Sequence, residues 1–180
     1  MSLANQISIC RLLLVPGIIA CLVYYDPSRE WLRLLAVGLF AVGMVSDALD
    51  GWIARLQNQQ TQLGTLLDPI ADKSLILGTL ISCSVIQGLP ETLRIPAWFN
   101  LVVISRDVLL VTGGLVLFVI KGRWDVRPSW LGKWTTFTQM LVIPTVLLAL
   151  PAKLPIILAA AVLTVLSAIS YIRMGIRALD

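Results

Sequence analysis

The sequence contains no histidine. That absence removes Ser-His-Asp and Cys-His nucleophilic catalysis, histidine zinc ligands and a histidine general base from consideration. Cysteine is scarce too. Cys10, Cys21 and Cys83 are odd in number, far apart and set in apolar surroundings, which fits neither a disulfide framework nor a zinc site. Charge is the third deficit: 13% of the residues are charged and 58% are hydrophobic, against about 25% and about 45–50% in a soluble domain. The chain departs from that range in the direction of the bilayer. Its formal charge is +4, but the positive residues form no run, which argues against nucleic acid binding. No Ser/Gly-rich linker or shift in composition divides it, so one domain over residues 1–180 is expected.

What the sequence does have is long apolar runs. Six are close to the ~20 residues that a membrane helix needs: residues 7–24, 32–55, 65–86, 97–120, 131–150 and 154–176. The breaks between them carry turn chemistry, as in "DPSRE", "QNQQTQ", "QGLPETLRIP", "KGRWDVRPS" and "LPAKLP". The first run leads to "DPSRE" rather than to a small-residue cleavage site, and so reads as a membrane helix and not as a signal peptide. The expected fold is all-α, a polytopic membrane protein of six transmembrane helices. Six spans put both termini on one side. That side collects Arg11, Arg55, Lys73, Lys121, Arg123, Arg127, Lys133, Arg173 and Arg177, and the other only Arg29, Arg33, Arg94 and Lys153. The positive excess assigns both termini to the cytoplasm. Trp124, Trp130 and Trp134 suit an interfacial belt around the loop that precedes the fifth run.

Against this background the stretch "VSDALDGWIARLQNQQTQLGTLLDPIADK", residues 45–73, is anomalous. It holds Asp47, Asp50, Asp68 and Asp72, four of the ten acidic residues in the chain. Asp47 and Asp50 share a helix face at i, i+3, and Asp68 and Asp72 share one at i, i+4. The polar reversal between them lets the two faces meet at the cytoplasmic membrane boundary. An unpaired aspartate costs about 2.5–3.5 kcal/mol at a membrane helix centre, and somewhat less near the boundary. Arg55 and Lys73 cannot neutralise four such charges. A divalent cation can, and two would do so better. An oxygen-only donor set favours Mg²⁺ or Mn²⁺ over zinc, and two such ions make a phosphoryl-transfer clamp. Gly51, Ala54 and Gly64 bare the backbone beside the carboxylates, and Arg55 is a candidate phosphate contact.

Asp47-x-x-Asp50-Gly51-x-x-Ala54-Arg55, eight residues, then Gly64-x-x-x-Asp68-x-x-x-Asp72, resembles the signature of the CDP-alcohol phosphatidyltransferase family at every defined position. The six apolar runs extend the resemblance over nearly the whole chain. The resemblance implies that Asp47, Asp50 and Asp68 ligate metal, with Asp72 at the metal site and serving as general base. It implies a CDP pocket formed by Asp47, Gly51, Ala54, Arg55 and Gly64, CDP-diacylglycerol as donor, and a homodimer. With no targeting peptide visible, a bacterial inner membrane is the expected location.

The acceptor alcohol is read from other positions. Asn5-x-x-Ser8-x-x-Arg11 resembles the Asn-x-x-Thr-x-x-Arg opening of the phosphatidylglycerophosphate synthase and cardiolipin synthase branches, with Ser for Thr. Gly132-Lys133-x-x-Thr136-x-x-Gln139 resembles a further element of those branches. Arg106 and Lys133 together point to an anion pocket separate from the metals, hence to an acceptor with its own phosphate. Glycerol 3-phosphate, giving phosphatidylglycerophosphate, is the first expectation. Phosphatidylglycerol is the alternative, since Ile104-Ser105-Arg106-Asp107 resembles the wording of eukaryotic-type cardiolipin synthases. A reading from another class is a divalent-cation transporter lined by carboxylates. Aspartates at one boundary rather than the midplane, interleaved with glycines, suit a nucleotide better.

Overall fold

The computed structural model describes the backbone of residues 3–57, 62–121 and 130–179, and side chains over 9–46, 71–117, 119–120 and 130–176. Six α-helices account for nearly all of it: α1 (Leu3–Val23), α2 (Glu30–Gln57), α3 (Gln62–Val85), α4 (Ala97–Lys121), α5 (Trp130–Leu147) and α6 (Lys153–Leu179). One 3₁₀ turn, Glu91–Leu93, lies between α3 and α4. No strand occurs among the described residues. The helices coincide with the six apolar runs.

Each break has a local cause. After α1, the Asp26 carboxylate accepts hydrogen bonds from Ser28 Oγ (2.6 Å) and Ser28 N (2.8 Å), an Asx turn that stops the helix. The side-chain bond from Ser28, then the backbone one, hold Asp26 below the usual carboxylate range. Between α3 and α4 the chain is clamped by Ile95 N donating to Cys83 O (3.2 Å) and Ser84 Oγ to Ile95 O (2.7 Å). Arg94 Nε donates to Leu89 O (2.8 Å), and its Nη2 to Gln87 O. The fifth apolar run extends to residue 150, but α5 stops at Leu147. Ala149 takes a left-handed conformation, φ 52°, with Ala149 N donating to Val146 O (2.9 Å) and Leu150 N to Thr145 O (2.9 Å). This is a Schellman C-cap with alanine where glycine is usual.

Contacts divide the chain into two compact units, Met1–Ile95 with Val146–Ala149, and Pro96–Thr145 with Leu150–Asp180. In the first, α1 packs against both α2 and α3. Its buried residues include Ile18, Leu22, Phe40, Leu75, Ile76 and Leu80. The second is built on α4 against α6. There the outward faces are apolar at helical spacing. On α4 the exposed residues include Leu101, Ile104, Val108, Val111, Leu115 and Val119, and on α6 Leu158, Val162, Val165, Ile169, Ile172 and Ile176. A helix facing water carries polar residues on that side. These faces fit lipid. Two segments among the described residues, Glu91–Leu117 and Lys153–Ile176, are long and apolar enough to cross a membrane by length and composition.

Small residues set the approach of α1 to α3. A Cβ on Gly78 would stand 2.8 Å from Val15 Cγ1, and the χ1 of a helical valine is too stiff to yield. Gly78→Ala is therefore expected to destabilise the protein by about 1–3 kcal/mol, seen as a lower unfolding midpoint in detergent. Gly113 has nothing within 4 Å of its would-be Cβ. Gly113→Ala should leave the midpoint level or slightly raised, through helix propensity. Equal loss in both variants would contradict the packing assigned to Gly78.

Candidate active site

The aspartate signature lies on helix throughout its two halves. Asp47 and Asp50 fall near the end of α2, and Asp68 and Asp72 in the first half of α3. The helical backbone preserves the i, i+3 and i, i+4 relations that put each pair on one face, and α2 contacts α3. The side chains of Asp47, Asp50, Gly51, Ala54, Arg55, Gly64 and Asp68 lie outside the described residues, as do those of Asn5 and Ser8.

Asp72 is the member of the set whose side chain is described. Arg11 Nη1 donates to Asp72 Oδ1, and the two form an ion pair between α1 and α3. Arg11 is 1% exposed and Asp72 28%. A buried guanidinium needs an answering charge in a low-dielectric interior, and Asp72 supplies it. The sequence marks Arg11 as an acceptor-site residue; the fold sets it against the expected general base. Sixty-one positions separate the two, so no local pattern could have paired them.

The second unit holds a cavity of about 470 Å³. Arg106, Lys133, Thr136 and Tyr171 contribute its polar lining, and Leu110, Phe137 and Met140 an apolar wall. Arg106 is buried, at 5% exposure. Its Nη1 donates to Asp107 Oδ1 (2.9 Å), its Nη2 donates to Ser167 Oγ (3.0 Å), and the guanidinium carbon lies 5.6 Å from the Tyr171 ring centroid. Arg106 Nε is buried without a hydrogen-bond partner among the described residues. Lys133 is exposed, with Nζ 5.6 Å from the Trp130 ring centroid. The Gly132–Gln139 element thus divides its labour. Lys133 and Thr136 line the cavity. Thr135 Oγ1 donates to Leu163 O (3.1 Å) and Gln139 Nε2 to Thr164 Oγ1 (3.1 Å), tying α5 to α6. Sequence reasoning passed over the α6 partners. Thr164, Ser167 and Tyr171, at i, i+3 and i+7, form a polar stripe on a largely apolar helix, and that stripe was the available signal.

The CDP-alcohol phosphatidyltransferase family profile matches residues 1–169, spanning both units. The chain belongs to that family, and it is a membrane protein, as its outward apolar faces require. It is 33% identical over 181 residues to a Mycobacterium tuberculosis protein named a probable phosphatidylglycerophosphate synthase, covering 98% of this chain and 82% of the relative. It is 37% identical over 136 residues to the CDP-diacylglycerol–glycerol-3-phosphate 3-phosphatidyltransferase of Aquifex aeolicus, covering 76% of this chain and 70% of the relative. It is also 35% identical over 155 residues to the CMP-forming cardiolipin synthase of Streptomyces coelicolor, covering 83% and 66%. The family is generally dependent on a divalent metal, and aspartate carboxylates in a chain without histidine are donors of the kind a hard divalent cation takes.

Arg11→Met would remove the guanidinium that pairs with the Asp72 carboxylate. The expected loss is about 2–3 kcal/mol, below the 3–5 of a fully enclosed pair because Asp72 keeps some water. In the double variant Arg11→Met/Asp72→Asn part of that loss should return. Thermal unfolding of the two single variants and the double one in detergent measures the coupling, and strictly additive losses would exclude the pair.

Proposed function

We propose that the chain transfers the phosphatidyl group of CDP-diacylglycerol to glycerol 3-phosphate, giving phosphatidylglycerophosphate and CMP. The observation that carries the acceptor choice is Arg106. It is a buried guanidinium whose Nε has no hydrogen-bond partner among the described residues, on a cavity that also holds Lys133. Two positive groups apart from the aspartates suit an acceptor that brings its own phosphate. The names of relatives at 33% and 37% identity support the same reading.

In this mechanism a hydroxyl oxygen of the acceptor attacks the phosphorus that bears the lipid. The bond from that phosphorus to the CMP oxygen breaks, and CMP leaves. Asp72 takes the hydroxyl proton, with no histidine in the chain to do so. Arg11 holds the Asp72 carboxylate in place. Asp47, Asp50 and Asp68, with Asp72, would hold two divalent cations, which supply charge neutralisation for the pyrophosphate and the leaving phosphate. Asp47, Gly51, Ala54, Arg55 and Gly64 bind the CDP moiety, and Asn5, Ser8 and Arg11 belong to the acceptor side. Residues 1–180 act as one catalytic domain, and the working form is a homodimer, as the family resemblance implies.

A second reading has its own observation. Leu110, Phe137 and Met140 give the cavity an apolar wall that glycerol 3-phosphate does not need and a lipid acceptor does. Phosphatidylglycerol would then be the acceptor and cardiolipin the product, the activity named for the Streptomyces relative.

Purified protein with CDP-diacylglycerol, Mg²⁺ and each acceptor in turn decides between them. Release of CMP with glycerol 3-phosphate, and phosphatidylglycerophosphate by lipid mass spectrometry, is the expected result. Asp47→Asn or Asp68→Asn should lower turnover by about 10²-fold or more, the scale of losing an electrostatic contact in a transition state. Cardiolipin formed from phosphatidylglycerol, with glycerol 3-phosphate unused, would reject the first reading in favour of the second.

All six helices are proposed to span the bilayer of a bacterial inner membrane, with both termini and the aspartate boundary cytoplasmic. Cysteine substitutions at Gln59, Arg123 and Glu91, in a background without Cys10, Cys21 and Cys83, test this. An impermeant thiol reagent should reach Glu91 from outside the cell, and Gln59 and Arg123 only after the membrane is opened. Labelling of Gln59 in intact cells would reverse the orientation.

A further inference from the structure

Arg106 sits on α4, and among the described residues the groups that fix its guanidinium, apart from its sequence neighbour Asp107, come from α6. Ser167 is fully buried and accepts a hydrogen bond from Nη2 at 3.0 Å. Tyr171 presents its ring to the guanidinium carbon at 5.6 Å, inside the ~6 Å range of a cation–π contact, and also lines the cavity. A guanidinium has five N–H donors in a rigid plane. Asp107 and Ser167 take one bond each, and Nε has no partner among the described residues. Two features of this arrangement matter. The hydroxyl fixes one end of the plane and the ring fixes its tilt, so the group is held before a ligand arrives. Both groups are neutral. They restrict the arginine without consuming its charge as a second carboxylate would.

We propose that Ser167 and Tyr171 are positioning residues for acceptor binding. They hold Arg106 in an orientation that leaves its charge and remaining donors for the phosphate of the acceptor. This rests on the reading of the Arg106 cavity as the acceptor site. The competing role is a simple lock between α4 and α6, and the two differ in what a loss affects. A lock that fails loosens the protein and changes every kinetic constant. A positioning residue that fails weakens the acceptor alone, since the donor's groups lie elsewhere in the sequence.

The test uses the full-length protein in detergent with CDP-diacylglycerol and whichever of glycerol 3-phosphate or phosphatidylglycerol releases CMP. Tyr171→Leu and Ser167→Ala should each raise the KM for acceptor about tenfold, the scale of one cation–π contact or one charged hydrogen bond. The KM for CDP-diacylglycerol should stay within about twofold, since only the acceptor's affinity is at stake. Tyr171→Phe and Ser167→Thr, which keep the ring and the hydroxyl, should restore acceptor KM to near the unsubstituted value. In an Arg106→Ala background neither Tyr171→Leu nor Ser167→Ala should raise acceptor KM further. A parallel rise in both KM values together with a lower unfolding midpoint would mark a helix lock and overturn the proposal. If Arg106→Ala raises acceptor KM while Tyr171→Leu and Ser167→Ala do not, the acceptor site stands and the positioning role is rejected. If Arg106→Ala itself leaves acceptor KM unchanged, the acceptor reading fails and this inference falls with it.

Discussion

A charged side chain within an apolar helix must be answered by another group, because neither lipid nor a dry interior solvates it. Among the described residues, the two most deeply buried arginines follow this constraint in different ways. Arg11 is answered by a full carboxylate, Asp72, one helix away. Arg106 is answered by Asp107 beside it, by a hydroxyl and by a ring face. Each answer ties two helices, α1 to α3 and α4 to α6, at a position where the hydrophobic pattern alone would let them slide. Charge that is costly to bury thereby sets how these helices meet.

Between these ionic ties the packing follows membrane rather than aqueous rules. Lipid tails are as apolar as leucine, so helices in a bilayer gain little from hiding apolar surface and depend on close approach and hydrogen bonds. Gly43 and Gly78 permit that approach, with Leu75 and Val15 in the space a Cβ would need. Buried hydroxyls return to the carbonyl one turn back, as Thr79 Oγ1 does to Leu75 O (2.8 Å), Ser82 Oγ to Gly78 O (2.7 Å) and Thr164 Oγ1 to Ala160 O (2.6 Å). These bonds satisfy the hydroxyl protons within the helix itself. Pro16 within α1 and Pro144 within α5 are tolerated for the same environmental reason.

The aspartates proposed for the metal site and the two cations proposed for the acceptor's phosphate, Arg106 and Lys133, fall in different units of the chain, although Asn5, Ser8 and Arg11, also proposed for the acceptor side, lie in the same unit as the aspartates. The aspartates lie on α2 and α3; Arg106, Lys133, Ser167 and Tyr171 lie on α4, α5 and α6. On the proposed assignment, that separation of the phosphate-binding cations from the aspartates would let the acceptor change while the aspartates stay as they are. It accords with a family in which similar relatives carry names with different acceptors. The lining of the Arg106 cavity is cationic on one part and apolar on another.

The six helices were legible from the apolar runs, because a segment that must satisfy its own backbone in lipid has few conformations open to it. Their ends were less so. The Schellman cap that stops α5 at Leu147 depends on Ala149 adopting a positive φ, which no alanine advertises. The aspartate signature was legible because its chemistry is local, two pairs at helical spacing on adjacent helices. The family followed from it, and the match over residues 1–169 agrees. Only the tertiary structure decided what Arg11 and Arg106 touch. Arg11 meets a residue 61 positions away, and Arg106 another 61 positions away, on a helix whose polar stripe does not say which side chain it will meet. Spacing along a helix can be read from the chain itself, whereas the partner of a long charged side chain depends on which helices pack together and at what register.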